Sequence, residues 1–153
     1  MSQYVEIFVK SKENNFTCLN SFSRSTYIYR ILSDDIGVPY AKIKKITPEF
    51  LRQAIDIAIG YKDGYLKSRD EAKERMTIVA SFNNSVEEKY EVIHDIYEAL
   101  SEYDEVIEEV DVAIGYLRTL ASIADNLAYE TGSPALYCGI EIGEPTLDDI
   151  VGE

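Results

Sequence analysis

Glu91-Val-Ile-His94 is the one local pattern in this chain whose residue types and spacing suit a metal ion. It places a carboxylate and an imidazole one helical turn apart, as di-iron bundles do. A complete site of that kind needs a second Glu-x-x-His and two further inward glutamates, and the chain has one histidine. Only a second copy would supply the missing ligands, so His94 is expected to be a surface histidine among acids. Glycine-rich phosphate loops, G-x-S-x-G, H-E-x-x-H and zinc spacings do not occur, and no nucleophile stands near His94 in sequence. Paired acids for glycoside chemistry need a cleft that shifts their pKa values, whereas the acids here concentrate on one helical face. The expectation is a protein that is not an enzyme, with no catalytic group, no metal and no cofactor.

The carboxylates themselves are the sharper feature. At about 100° per residue, Glu87, Glu91, Glu98, Glu102, Glu105 and Glu109 fall within about 60° of one another. They form a stripe about 33 Å long at 1.5 Å per residue. Between Glu87 and Asp111 there are eleven acids and one base, Lys89. Such a run serves solubility as a solvated face, or it presents spaced negative charge to a basic groove, as a nucleic-acid backbone does. Like charges one turn apart cost a helix about 0.2 to 0.5 kcal/mol per pair, and glutamate mixed with lysine solubilises without that cost. The excess therefore favours a binding face, with Tyr97 and Tyr103 as its aromatic contacts. Most tyrosines along the helices, among them Tyr61, Tyr65, Tyr90, Tyr97, Tyr103 and Tyr116, are expected on an apolar seam with their hydroxyls at its edge. Arg24, Arg30, Lys42, Lys44 and Lys45 are read as a solvated basic edge that is also able to hold an anion or meet the acidic arm of a second copy.

Two long helices must carry this stripe. From Ser85 to Tyr129 the chain has no proline and a single glycine, Gly115. Ser85 and Glu88 have capping-box spacing. Val86, Tyr90, Ile93, Tyr97, Leu100, Tyr103, Ile107, Val110, Ile114, Leu117, Ala121 and Ala124 make an apolar face that drifts as a 3.5-residue repeat does, which predicts packing on another long helix. Thr47-Pro48-Glu49 is a helix start, and the helix is predicted to reach Ala80, with a bend allowed at Gly60 and Gly64. Its seam runs Leu51, Ile55, Ala58, Lys62, Tyr65, Arg69, Ala72, Met76 and Val79, with two bases among the nine. Phe82 to Ser85 is the turn of an antiparallel helical hairpin, in which Lys62, Lys67, Arg69, Lys73 and Arg75 are expected to lie beside carboxylates of the second arm.

Around the hairpin the sequence predicts a small sheet. Gln3 to Lys10 and Phe16 to Phe22 form a β-hairpin. A short helix capped by Ser23 or Ser25 follows to Leu32 and is ended by Gly37. Tyr40 to Ile46 is a third strand or an extended linker, at a sheet edge because of its lysines. Thr131, Gly132, Ser133 and Pro134 stop the second long helix. Ala135 to Ile142 then returns as a strand, and Gly143 to Glu153 is a mobile acidic tail.

The fold class is therefore α+β: an antiparallel sheet of three or four strands with a short helix and a long projecting coiled-coil-like hairpin. Residues 1–47, 48–131 and 132–153 are its three parts, expected to form one compact unit. The net charge of −13 is polarised, with an excess of three bases in residues 1–47 and of ten acids in 87–111. That charge disfavours direct nucleic-acid or membrane-surface binding and favours a basic protein partner. No run of eighteen apolar residues occurs, and Met1 to Lys10 reads as a strand, so a cytoplasmic protein is expected. Cys18 and Cys138 are expected to be reduced, half-buried thiols. The leading function is non-enzymatic binding of a basic protein surface, such as that of a nucleic-acid-binding protein, in the manner of a nucleic-acid-mimicking inhibitor. The alternatives are a homodimer or larger assembly built through the hairpin, and a small-ligand binder with its ligand between sheet and hairpin.

Overall fold

The computed structural model describes residues 3–81, 85–130 and 134–152. Strands β1 (Tyr4–Lys10) and β2 (Phe16–Ser23) open the chain, followed by a helical turn α1 (Tyr27–Tyr29) that continues as a π-helix over Arg30–Asp35. Strand β3 (Ile43–Lys45), helices α2 (Pro48–Ala80) and α3 (Val86–Ala128), and strands β4 (Ala135–Ile140) and β5 (Ile150–Val151) complete it. The chain forms two compact units: one takes the residues up to Ala58 and from Ala113 onward, the other is Ile59–Val112.

In the first unit the sheet order is β2-β1-β4-β3-β5. β1 pairs antiparallel with β2 and β4, and β4 with β3, while β5 runs parallel to β3. The sheet thus has five strands and is mixed, where three or four antiparallel ones were expected. The difference is β5, inside the segment expected to be a mobile tail. Thr146 and Asp149 make a reciprocal cap there, with the Thr146 N–H donating to Asp149 Oδ2 at 2.8 Å. That cap turns the chain so that Ile150 pairs with Ile43 and Val151 with Lys44. β3 consequently lies between β4 and β5, so the lysine-rich segment is not the outermost strand.

Every residue of β4 is buried, as a strand covered on both faces must be. On one face Ile7 stands beside Cys138 and Val5 beside Ile140. Phe22 and Tyr116 of α3 meet edge to face at 4.7 Å, and the Tyr116 hydroxyl donates to Asn20 Oδ1 at 3.0 Å. Burial pushes the Tyr116 hydroxyl pKa up to about 12. On the other face Phe8, Ile43, Ala135 and Tyr137 form a cluster with Phe16, Ile142 and Ile150 packed against it. A Cβ at Gly139, opposite Ile43, would meet Ile43 Cγ2 at 2.8 Å and Lys42 O at 3.0 Å, so only glycine lets β3 approach there.

Two local details differ from the sequence expectations. The helical turn is capped by Thr26, whose Oγ1 accepts from the Tyr29 N–H at 3.2 Å, because Ser23 is still in β2. The π-helix ends where Gly37 takes φ +80°, as expected of that glycine. Neither cysteine is half-buried: Cys18 is exposed and Cys138 fully buried, both as free thiols. Burial pushes the Cys138 thiol up to about 12.

The long helices agree closely with expectation. Phe50 N–H donates to Thr47 Oγ1 at 3.1 Å to start α2, and Glu88 N–H donates to Ser85 Oγ at 3.3 Å to start α3. The expected turn residues Phe82, Asn83 and Asn84 lie outside the described residues, as do the expected stop residues Thr131, Gly132 and Ser133. Ile107 in the second unit and Ile114 in the first are 8% and 5% exposed, as seam residues should be. Ile107→Ala and Ile114→Ala should each lower the unfolding free energy by about 2 to 5 kcal/mol in urea melts. A loss below about 1 kcal/mol would mean that the buried face of α3 lies elsewhere.

Candidate functional site

All six stripe glutamates lie on α3 in the second unit, and all six are exposed. His94 stands beside the stripe, with its Nε2 3.1 Å from Glu98 Oε1. Tyr90 stacks on His94 with ring centroids 6.0 Å apart and planes 9° from parallel. His94 is therefore a solvent-facing bridge between a tyrosine and a glutamate. Among the described residues no three His, Cys, Asp or Glu side chains are grouped to hold a metal ion.

Helices α2 and α3 pack on each other. Within the second unit, Ala72, Ile96, Ile107 and Val110 are buried. Lys62 Nζ lies 2.8 Å from Asp111 Oδ1, and the Arg69 guanidinium 2.9 Å from Asp104 Oδ1. The two bases on the α2 seam thus face carboxylates of α3, as their spacing suggests. The neighbouring stripe glutamates take no part in these pairs.

The first half of the α3 seam differs from expectation. Val86 is 82% exposed, and Tyr90 and Tyr97 are 67% exposed each, whereas Ile96 is 7% exposed. The helix is rotated so that Ile96, not its neighbour Tyr97, enters the seam. Ile96 has no polar atom to satisfy, whereas a buried tyrosine must find a partner for its hydroxyl. The correction moves Tyr90 and Tyr97 to the surface beside the glutamates. Tyr103 is half-buried about 100° from Glu102 on the helix, and the exposed Tyr97 stands about 100° from Glu98 on the other flank, so neither lies within the stripe that Glu98, Glu102 and Glu105 share.

Sequence reasoning missed the exposed aliphatic residues Ile78 and Val92, which are 48% and 44% exposed on the two arms. Their signal lay in their positions just outside the two seam patterns. A separate cavity of about 300 Å³ in the first unit lies between the start of α2 and the end of α3, lined by Leu51, Ile55, Ala121 and Ala124 with Arg52 and Asp56. No helix among the described residues is long and apolar enough to cross a membrane. The chain matches no protein-family model, no curated protein and no solved structure.

Arg69 sits on the seam with its Nε buried and without a hydrogen-bond partner among the described residues. Its pair with the well-exposed Asp104 is worth at most about 1 kcal/mol, and desolvation works against it. Arg69→Met should therefore leave stability within about 1 kcal/mol of the parent or raise it. Urea midpoints of the variant should also respond less to added salt than those of the parent. A loss above about 3 kcal/mol would assign the pair a far larger role in the hairpin.

Proposed function

We propose that this chain is a cytoplasmic, non-enzymatic protein-binding module that presents the acidic face of α3 to a basic protein surface, competing there with nucleic acid. The observation that carries this reading is the charge left over after the hairpin has formed. Asp104 and Asp111 are engaged by Arg69 and Lys62, yet nine acids remain between Glu87 and Glu109 with Lys89 as the sole lysine or arginine among them. Six of them form the stripe, about one negative charge every 6 to 7 Å at 1.5 Å per residue, roughly half the density of phosphates along one strand of B-DNA. A groove charged for a phosphate backbone finds a sparser line of charge of the same sign here. Tyr97, exposed on the flank of the stripe, supplies the apolar contact that charge alone lacks for fixing one pose. Such a surface raises association rates and loses affinity as salt rises.

Reversing Glu98, Glu102 and Glu105 to lysine tests the reading against a control reversal of equal charge at the exposed Asp125, Glu130 and Glu144. Helical content by circular dichroism should survive both triple changes. Affinity for an oligolysine peptide, read by fluorescence anisotropy at low salt, should fall by about tenfold or more for the stripe variant and much less for the control. Equal losses from the two variants would leave the stripe a solubilising face only.

A further inference from the structure

Beside the acidic stripe, on the flank of α3 away from Tyr97, the second unit holds an open apolar groove of about 470 Å³. Ile78 and Val79 of α2 line it with Val92, Ile96 and Ala99 of α3; Asp95 stands on the α3 side and Arg75 on the α2 side. The half-exposure of Ile78 and Val92 leaves these side chains accessible to a partner. One lip of the groove is acidic. On the α3 wheel, taking Glu87 as zero, Val92, Ala99 and Ile96 lie between about 120° and 180°. Glu91, Glu102, Asp95 and Glu88 lie between about 40° and 100°, so they border the apolar residues along the helix.

We infer that this groove seats an amphipathic helix of a partner protein, with its apolar ridge on Ile78, Val92 and Ala99 and its lysines or arginines toward the α3 lip. The inference deepens the acidic-surface reading above and rests on it. A furrow running between two packed helices accepts side chains spaced at i, i+3 or i+4, and i+7, which is the spacing a helix offers. Charge chooses the partner's polar face: a basic flank meets four carboxylates, while an acidic one is repelled. The same argument disfavours a second copy, because the net charge of −13 on each chain opposes its approach. The stripe then attracts and orients, and the groove selects, because apolar contact demands a register that charge does not.

Three synthetic peptides make the test: a leucine-lysine peptide with its leucines on one helical face, its scrambled isomer without that face, and oligolysine. Anisotropy at low salt should show the amphipathic peptide binding about tenfold tighter than its isomer. The double variant Ile78→Gln, Val92→Gln should abolish that advantage and leave oligolysine affinity unchanged, while Val92→Leu should keep it. Both changes fall on exposed helical positions that glutamine and leucine suit, and circular dichroism checks the fold. An amphipathic advantage that is absent, or that survives the double variant, overturns the groove and leaves the acidic stripe standing. Failure of all three peptides to bind at low salt overturns both readings. If light scattering shows the protein alone to be a dimer that the double variant splits, the occupant is a second copy and the proposal is overturned.

Discussion

Two cations in an otherwise apolar seam constrain the helical hairpin. Lys62 and Arg69 are seven residues apart on α2, and their partners Asp111 and Asp104 are seven apart on α3. That arithmetic fits one antiparallel register. Sliding one helix past the other by a turn would separate both bases from these carboxylates and break the two pairs together. Individually the pairs contribute little, because Asp104 and Asp111 are well exposed. Their value is in excluding alternatives, as polar residues at seam positions of coiled coils do.

The same register sorts the acids of α3 into two sets. Asp104 and Asp111 lie on the flank that meets α2 and are paired, whereas the stripe glutamates lie on the side facing away and are left to solvent. A polar seam residue therefore has an indirect effect on the acidic surface: it fixes which carboxylates are engaged within the fold. His94 modifies this surface in a small way, since its stack on Tyr90 and its contact with Glu98 hold an aromatic ring and a carboxylate together.

Much of this was legible because helices obey short-range rules. Thr47-Pro48 and Ser85 place both starts through hydrogen bonds within three residues, and the seven-residue repeat marks Lys62 and Arg69 for pairing. The choice between Ile96 and Tyr97 was not legible from period alone, because adjacent positions differ by about 100° and both side chains are largely apolar. The two-residue strand β5 was beyond reach for another reason. Its parallel pairing with β3 depends on a turn set by Thr146 and Asp149 and joins residues more than a hundred positions apart. The basic segment Tyr40 to Ile46 reads as an edge for the same cause, since nothing local announces the strand that covers it.

The acidic stripe survives because the seam is stronger than the repulsion it must overcome. Among the six glutamates there are four pairs spaced three or four residues apart, each unfavourable by about 0.2 to 0.5 kcal/mol, so about 1 to 2 kcal/mol in all. Burial of one isoleucine contributes about 1.5 to 3 kcal/mol, and Ile96, Ile107 and Val110 are all buried on the opposite side of the same helix. Packing thus offsets the stripe with a margin, and α3 keeps its helical form without the lysines that would otherwise relieve it. A partner that brings positive charge to the stripe removes the repulsion as it binds. On the proposed reading, association and helix stability would be coupled in the same direction, the seam holding the free protein in the form such a partner would bind.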